Sequence, residues 1–150
     1  MRHVALFIAA ISAFVLQTKV NIFGVPPELT VVVVYYVGVT GGAAKGIVLG
    51  SVIGIVEDSL AGGIIGPNLL GKGMVGFFSS SIAGGLFRWT PLLGVLIISA
   101  LTMLDGFVVF LARMFYETVP LPPHRVFLTV VVQTLINALP GIFIKPEHAD

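Results

Sequence analysis

The stretch VLIISALTMLDGFVVFLA, residues 95–112, runs for eighteen residues with a single charge, and nothing in it alternates. A buried strand is far shorter, and a lipid-facing barrel strand alternates polar with apolar residues in runs of about ten. A helix that satisfies all its own backbone hydrogen bonds in lipid is the remaining solution. The rest of the chain repeats this texture. With 57% hydrophobic and 10% charged residues and a mean hydropathy of +1.07, it is far too apolar for an ordinary water-soluble domain. A bilayer core of about 30 Å takes about 20 residues per span, so 150 residues accommodate roughly six spans. The expectation is an all-α integral membrane protein, with one transmembrane helical domain over residues 1–150.

Punctuation divides the chain. A first helix is expected from about His3 to Lys19. The start MRHVALFIAAISAFVLQ is also compatible with a signal peptide but is read as a retained helix. Pro26 and Pro27 turn the chain before a short Val- and Tyr-rich second helix, about Leu29 to Val39. A third is expected from Ala43 to Leu60, ended by AGGIIGPN. Asn68 is expected to N-cap a fourth that reaches about Phe87, with Arg88 and Trp89 as an interface anchor. Thr90 and Pro91 form an N-cap and first-position pair for a fifth that extends to Tyr116. PLPPH is a stiff connection to a sixth, Arg125 to Leu139, and the tail KPEHAD is expected in water.

Basic residues divide evenly between the two faces, so the positive-inside rule gives a tie. The acidic residues Glu28, Glu57, Asp58 and Glu117 lean toward an N-inside arrangement. A net charge of +1 with scattered basic residues gives no footprint for nucleic acid. The absence of cysteine removes disulfide, thiol and thiolate-metal chemistry. His3, His124 and His148 lack the i, i+4 pairing of a metal site, and no nucleophile and base pair is visible. No cofactor, metal or small-molecule substrate is expected.

Two patterns remain. Gly42, Gly46, Gly50, Gly54, Asp58, Gly62 and Gly66 recur every fourth residue and give the third helix a bare groove against which another helix can lie closely, crossing near −40°. Packing within the chain or with a partner is expected along Gly42, Gly46, Gly50, Gly54 and Gly62, with Gly46, Gly50 and Gly54 as the partner stripe. Helix one carries a milder version at Ala5, Ala9 and Ala13. The second pattern is charge in lipid. At about 1.5 Å per residue, Asp58 lies about 22 Å from the start of its helix and Asp105 about 21 Å from Pro91, while Lys72 enters helix four from the same face. A lone charge near the bilayer centre costs about 2.5–3.5 kcal/mol, which favours a buried Asp58, Lys72 and Asp105 network over three separate charges. Snorkelling of Glu57, Asp58 and Lys72 into the headgroups is the competing reading. Thr129, Gln133 and Asn137 recur at fourth positions on helix six as interhelical hydrogen-bonding groups.

The glycine-spaced third helix, followed by DSLAGGIIGPNLL (58–70) and KGMVGFFSSSIAG (72–84), resembles the rod shape-determining membrane protein MreD family; Asp58, Gly62, Gly66, Asn68 and Leu69 carry the match. The resemblance implies a non-enzymatic inner-membrane component of the cell-elongation machinery. It would bind the single-span protein MreC and help link MreB filaments to peptidoglycan synthesis, with RodA, its transpeptidase and membrane lipids as neighbours. The family is also similar in architecture to the membrane subunits of energy-coupling-factor vitamin transporters. That alternative would have Asp58, Lys72, Asp105, Gln133 and Asn137 line a ligand pocket, with Ala5, Ala9 and Ala13 meeting the coupling subunit.

Overall fold

The structure is a computed structural model that describes residues 2–22, 24–83, 90–116 and 122–144. Six α-helices follow one another: α1 (Arg2–Lys19), α2 (Leu29–Gly41), α3 (Ala43–Leu60), α4 (Pro67–Ala83), α5 (Pro91–Tyr116) and α6 (Pro123–Ala138). A 3₁₀ turn, Leu139–Ile142, closes the described chain where Pro140 and Gly141 interrupt α6. Among the described residues there is no strand, only an isolated bridge between Ile22 and Val25 in the turn after α1.

The helix starts follow their local chemistry. Thr90 caps α5 as expected, its Oγ1 accepting the Leu93 N–H at 3.2 Å. Asn68 does not cap α4. The helix begins at Pro67, two residues before the Leu69 start that an Asn68 cap implies, and a proline's missing N–H costs nothing at a first position. The connection to α6 resumes helix at Pro123, two residues before the expected Arg125, for the same reason. Arg88 and Trp89, expected as an interface anchor, lie outside the described residues, as do Glu117, Lys145 and His148.

The shortest helix is the most central. The sequence LTVVVVYYVGVTG is apolar all round, the mark of a helix with no face to spare for solvent. Accordingly α2 touches α1, α3, α4, α5 and α6. Val31, Val34 and Tyr35 are completely buried, and they pack with Ile53, Val75, Ile98 and Leu101 from α3, α4 and α5.

Outside that core, polarity is reversed relative to a water-soluble bundle. Val48, Leu92, Phe107, Phe127 and Leu135 are all more than half exposed, whereas Lys72, Asp105 and Asn137 are 0% exposed. Large contiguous apolar surface of this kind marks contact with a membrane or another protein, and hydrocarbon is the medium in which charges belong inside and aliphatics outside. Two segments, α5 with 26 residues and Pro123–Ile142 with 20, are long and apolar enough to cross a bilayer by length and composition.

The α3–α4 contact is the closest in the bundle. A Cβ added at Gly46 would meet the Gly76 carbonyl, one at Gly50 the Lys72 carbonyl, and one at Gly54 the Asn68 carbonyl. Each step of four up α3 is a step of four down α4, so the helices run antiparallel with backbone against backbone. Gly38 of α2 completes a three-helix waist, where an added Cβ would strike Ser79 and the Gly76 carbonyl. The groove expected to receive a partner span is therefore filled by α4. The reason is register: α4 carries its own small residue, Gly76, opposite Gly46, so the two bare stripes interlock. Gly42 and Gly62 do not join the stripe. They adopt positive φ, 86° and 67°, at the ends of α3, with no neighbour within 4 Å, and serve as turn residues.

Candidate functional site: a buried ion cluster joining six helices

Lys72 stands at the centre of the bundle. From one turn into α4, its side chain is fully buried and meets carboxylates from the residue before α2, from α3 and from α5. There the ammonium lies 2.8 Å from Glu28 Oε1, 2.6 Å from Glu57 Oε2 and 3.4 Å from Asp105 Oδ2. Asp105 and Lys72 were expected together, and the structure brings them together. Glu28 and Glu57 were not expected as partners, yet they make the two shorter contacts. Glu28 was legible only as an acid beside Pro26 and Pro27, in the connection that turns the chain before α2.

Asp58 belongs elsewhere. Its Oδ2 accepts the Gly66 N–H at 2.9 Å and the Leu69 N–H at 3.2 Å, and its Oδ1 accepts the Asn68 N–H at 3.1 Å and Asn68 Nδ2 at 2.8 Å. These backbone donors belong to the start of α4, where the first N–H groups have no intrahelical partner and the helix dipole is positive. Asp58 thus caps α4 from across the turn, taking the role assigned to Asn68. Glu57, about 100° around α3, takes the place beside Lys72 expected for Asp58.

The cluster reaches every helix. Glu57 Oε1 accepts Gln17 Nε2 of α1 at 3.1 Å and Thr30 Oγ1 of α2 at 2.7 Å. Asn137 Nδ2 of α6 donates to the Glu28 carbonyl at 2.9 Å and to Thr102 Oγ1 of α5 at 3.2 Å, and Gln133 Nε2 donates to the Pro26 carbonyl at 3.1 Å. Helix six thus uses its polar stripe to hold the chain before α2, which in turn presents Glu28 to Lys72.

Two cavities meet this network at Pro26, Glu28 and Gln133. One of about 400 Å³ lies between α5, α6 and the connection before α2; the other, about 430 Å³ and more open, adjoins the end of α1 and touches Glu57. Of the five residues that the transporter alternative would place around a ligand, Gln133 lines both, whereas Asp58, Lys72, Asp105 and Asn137 line neither. Among the described residues, no group of three or more His, Cys, Asp or Glu is arranged to hold a metal ion.

An apolar exterior around one ion cluster whose contacts and hydrogen bonds reach six helices defines a helical membrane protein. The family described as rod shape-determining protein MreD matches residues 2–142, nearly the whole chain. The chain belongs to the MreD family, a family of membrane proteins that determine rod shape. No curated protein and no solved structure matches it.

Proposed function

We propose that this chain is a non-enzymatic, six-span scaffold of the bacterial cytoplasmic membrane, acting in cell elongation by binding MreC and so coupling MreB filaments to peptidoglycan synthesis by RodA and its transpeptidase. The observation that carries the reading is the family match over residues 2–142. The bundle suits such a role: the Lys72 cluster joins helices that hydrophobic attraction alone does not hold together in lipid, where tails are as apolar as leucine. The stripe Gly46, Gly50 and Gly54 is taken up by α4 and is not the MreC surface in this reading; a partner span meets the apolar exterior instead.

The test is depletion joined to capture. Cells losing the protein should round up while vitamin uptake stays normal, and the tagged protein should retain MreC in mild detergent. Rods that persist without the protein, or capture that recovers no MreC, would overturn the scaffold reading. Loss of growth on a scarce vitamin with shape unchanged would favour transport, for which the cavity between α5 and α6 is the supporting feature.

A further inference from the structure

We propose that the open cavity at the end of α1 holds one primary ammonium group, carried by the headgroup of an ethanolamine phospholipid, against Glu57 and Glu28. The cavity encloses about 430 Å³, within the ~300–1,000 Å³ range of ligand sites, and Gln17, Thr18, Asn21 and Gln133 line it beside the two glutamates. Toward this space the ion cluster presents one sign of charge. The side chains of Glu28 and Glu57 are 16% and 11% exposed, whereas Lys72 and Asp105 are sealed at 0%. No lysine, arginine or histidine is among the described residues that line the cavity. A guest therefore meets carboxylates before it meets the ammonium that pairs with them, and a cleft lined by one sign of charge concentrates ions of the other.

The acceptors around the cavity also call for a donor. A carboxylate has about four acceptor positions, and Glu57 gives three of its own to Lys72, Gln17 and Thr30. The bond from Gln17 Nε2 to Glu57 fixes that amide, because the reversed amide would set its oxygen against the carboxylate. Gln17 Oε1 is left buried with no hydrogen-bond partner among the described residues, and a buried acceptor of this kind marks a donor still to be supplied. An ammonium has three donors and no acceptor, which matches such a set. Arg113 acts electrostatically on Glu28, so Glu57 and Gln17 carry the assignment. A bare metal ion would leave most of the cavity empty, and among the described residues no group of three or more His, Cys, Asp or Glu is arranged to hold one. Gln17 and Thr18 stand in the last turn of α1, Glu28 immediately before α2 and Glu57 in the last turn of α3. In a spanning bundle those helix ends lie at headgroup depth, which makes a lipid the source of the ammonium and leaves its phosphate outward. The site rests on the membrane-spanning part of the proposed function and not on MreC, so lipid binding and MreC capture can fail separately.

The experiment uses the full chain in neutral detergent, titrated with phosphatidylethanolamine and phosphatidylcholine that carry the same fluorescent acyl chain, and separately with radiolabelled ethanolamine. Phosphatidylethanolamine should bind about tenfold more tightly than phosphatidylcholine, whose trimethylammonium has the same charge but no N–H to donate. Glu57→Gln should erase that preference. Gln17→Leu, which leaves Glu57 and Lys72 in place, should reduce it, and Asn21→Trp, which fills the cavity from an exposed position, should weaken both lipids. A melting profile like that of the parent chain verifies that each variant is folded; should Glu57→Gln not fold, Gln17→Leu decides. Equal affinity for the two lipids, or a preference untouched by the folded variants of Glu57 and Gln17, would overturn the proposal. Lipid binding unchanged by Asn21→Trp would place the lipid on the surface and also overturn it. Free ethanolamine bound as tightly as the lipid would overturn the lipid as occupant and assign the site to a soluble amine.

Discussion

Lys72 offers one positive charge to three carboxylates, and that asymmetry decides which substitutions the bundle tolerates. Lys72→Met takes from Glu28, Glu57 and Asp105 the ammonium that all three face, and removing one member of a buried ion pair costs about 3–5 kcal/mol. Asp105→Asn keeps the shape and takes away one of the competing negative charges, at the longest of the three contacts, so its cost should stay below about 2 kcal/mol. The fraction of each variant that survives heating as a monodisperse peak in detergent measures the difference. Lys72→Met should be lost well before Asp105→Asn, and equal survival of both variants and the parent would remove the cluster from any account of stability. The sequence showed that Lys72 and Asp105 share a depth, because Asp105 counts from the start at Pro91 and Lys72 from the start assigned to Asn68. It could not choose between Glu57 and Asp58: neighbours about 100° apart on α3 exchange roles according to where α4 begins, and that start lay two residues from the expected place.

At the level of elements, the glycines of α3 announced a close helix contact without naming its occupant. A spacing of four specifies a groove, whereas the filling helix is chosen by complementary register, here Gly76 of α4 against Gly46. Gly50→Leu should therefore disrupt the chain's own α3–α4 pair. The new side chain meets the Lys72 backbone, which cannot swing aside, so the cost falls at the upper end of the about 1–3 kcal/mol typical of overpacking. The measurement is the detergent melting curve of the isolated protein: a fall without any partner present is expected, and an unchanged curve would mean that α4 can withdraw. Asp58→Ala removes the acceptor for the backbone N–H groups of Gly66, just before α4, and of Asn68 and Leu69 in its first turn, and a loss of about 2 kcal/mol in the same assay follows from an N-cap in partly buried surroundings. The start of helix five was legible because Thr90 and Pro91 act through local hydrogen bonding and a fixed φ. The starts of α4 and α6 were less so, since a proline can either end one element or open the next, and the expected end of α4 near Phe87 lies outside the described residues.

For the whole molecule, the six-span reading fixes relative positions that can be tested without knowing any partner. If every helix crosses, the α3–α4 turn and the start of α6 share one face, while the start of α3 and the cap of α5 share the other. In the N-inside arrangement, Gly63→Cys and His124→Cys should react with a membrane-impermeant maleimide added to intact spheroplasts. Ala44→Cys and Thr90→Cys should react only after permeabilisation. The chain has no native cysteine, so each engineered thiol reports alone. These positions suit the purpose: Gly63 has open space around it, and Ala44 and His124 are exposed. The reversed pattern would keep six spans and turn the molecule over, which would put Lys72 and its three carboxylates on the cytoplasmic side of the bilayer. Labelling of Ala44→Cys and Gly63→Cys from the same side would show that α3 does not cross. With α3 and α4 locked backbone to backbone, the pair would then lie together on one side of the membrane, and a six-span scaffold would no longer describe the protein.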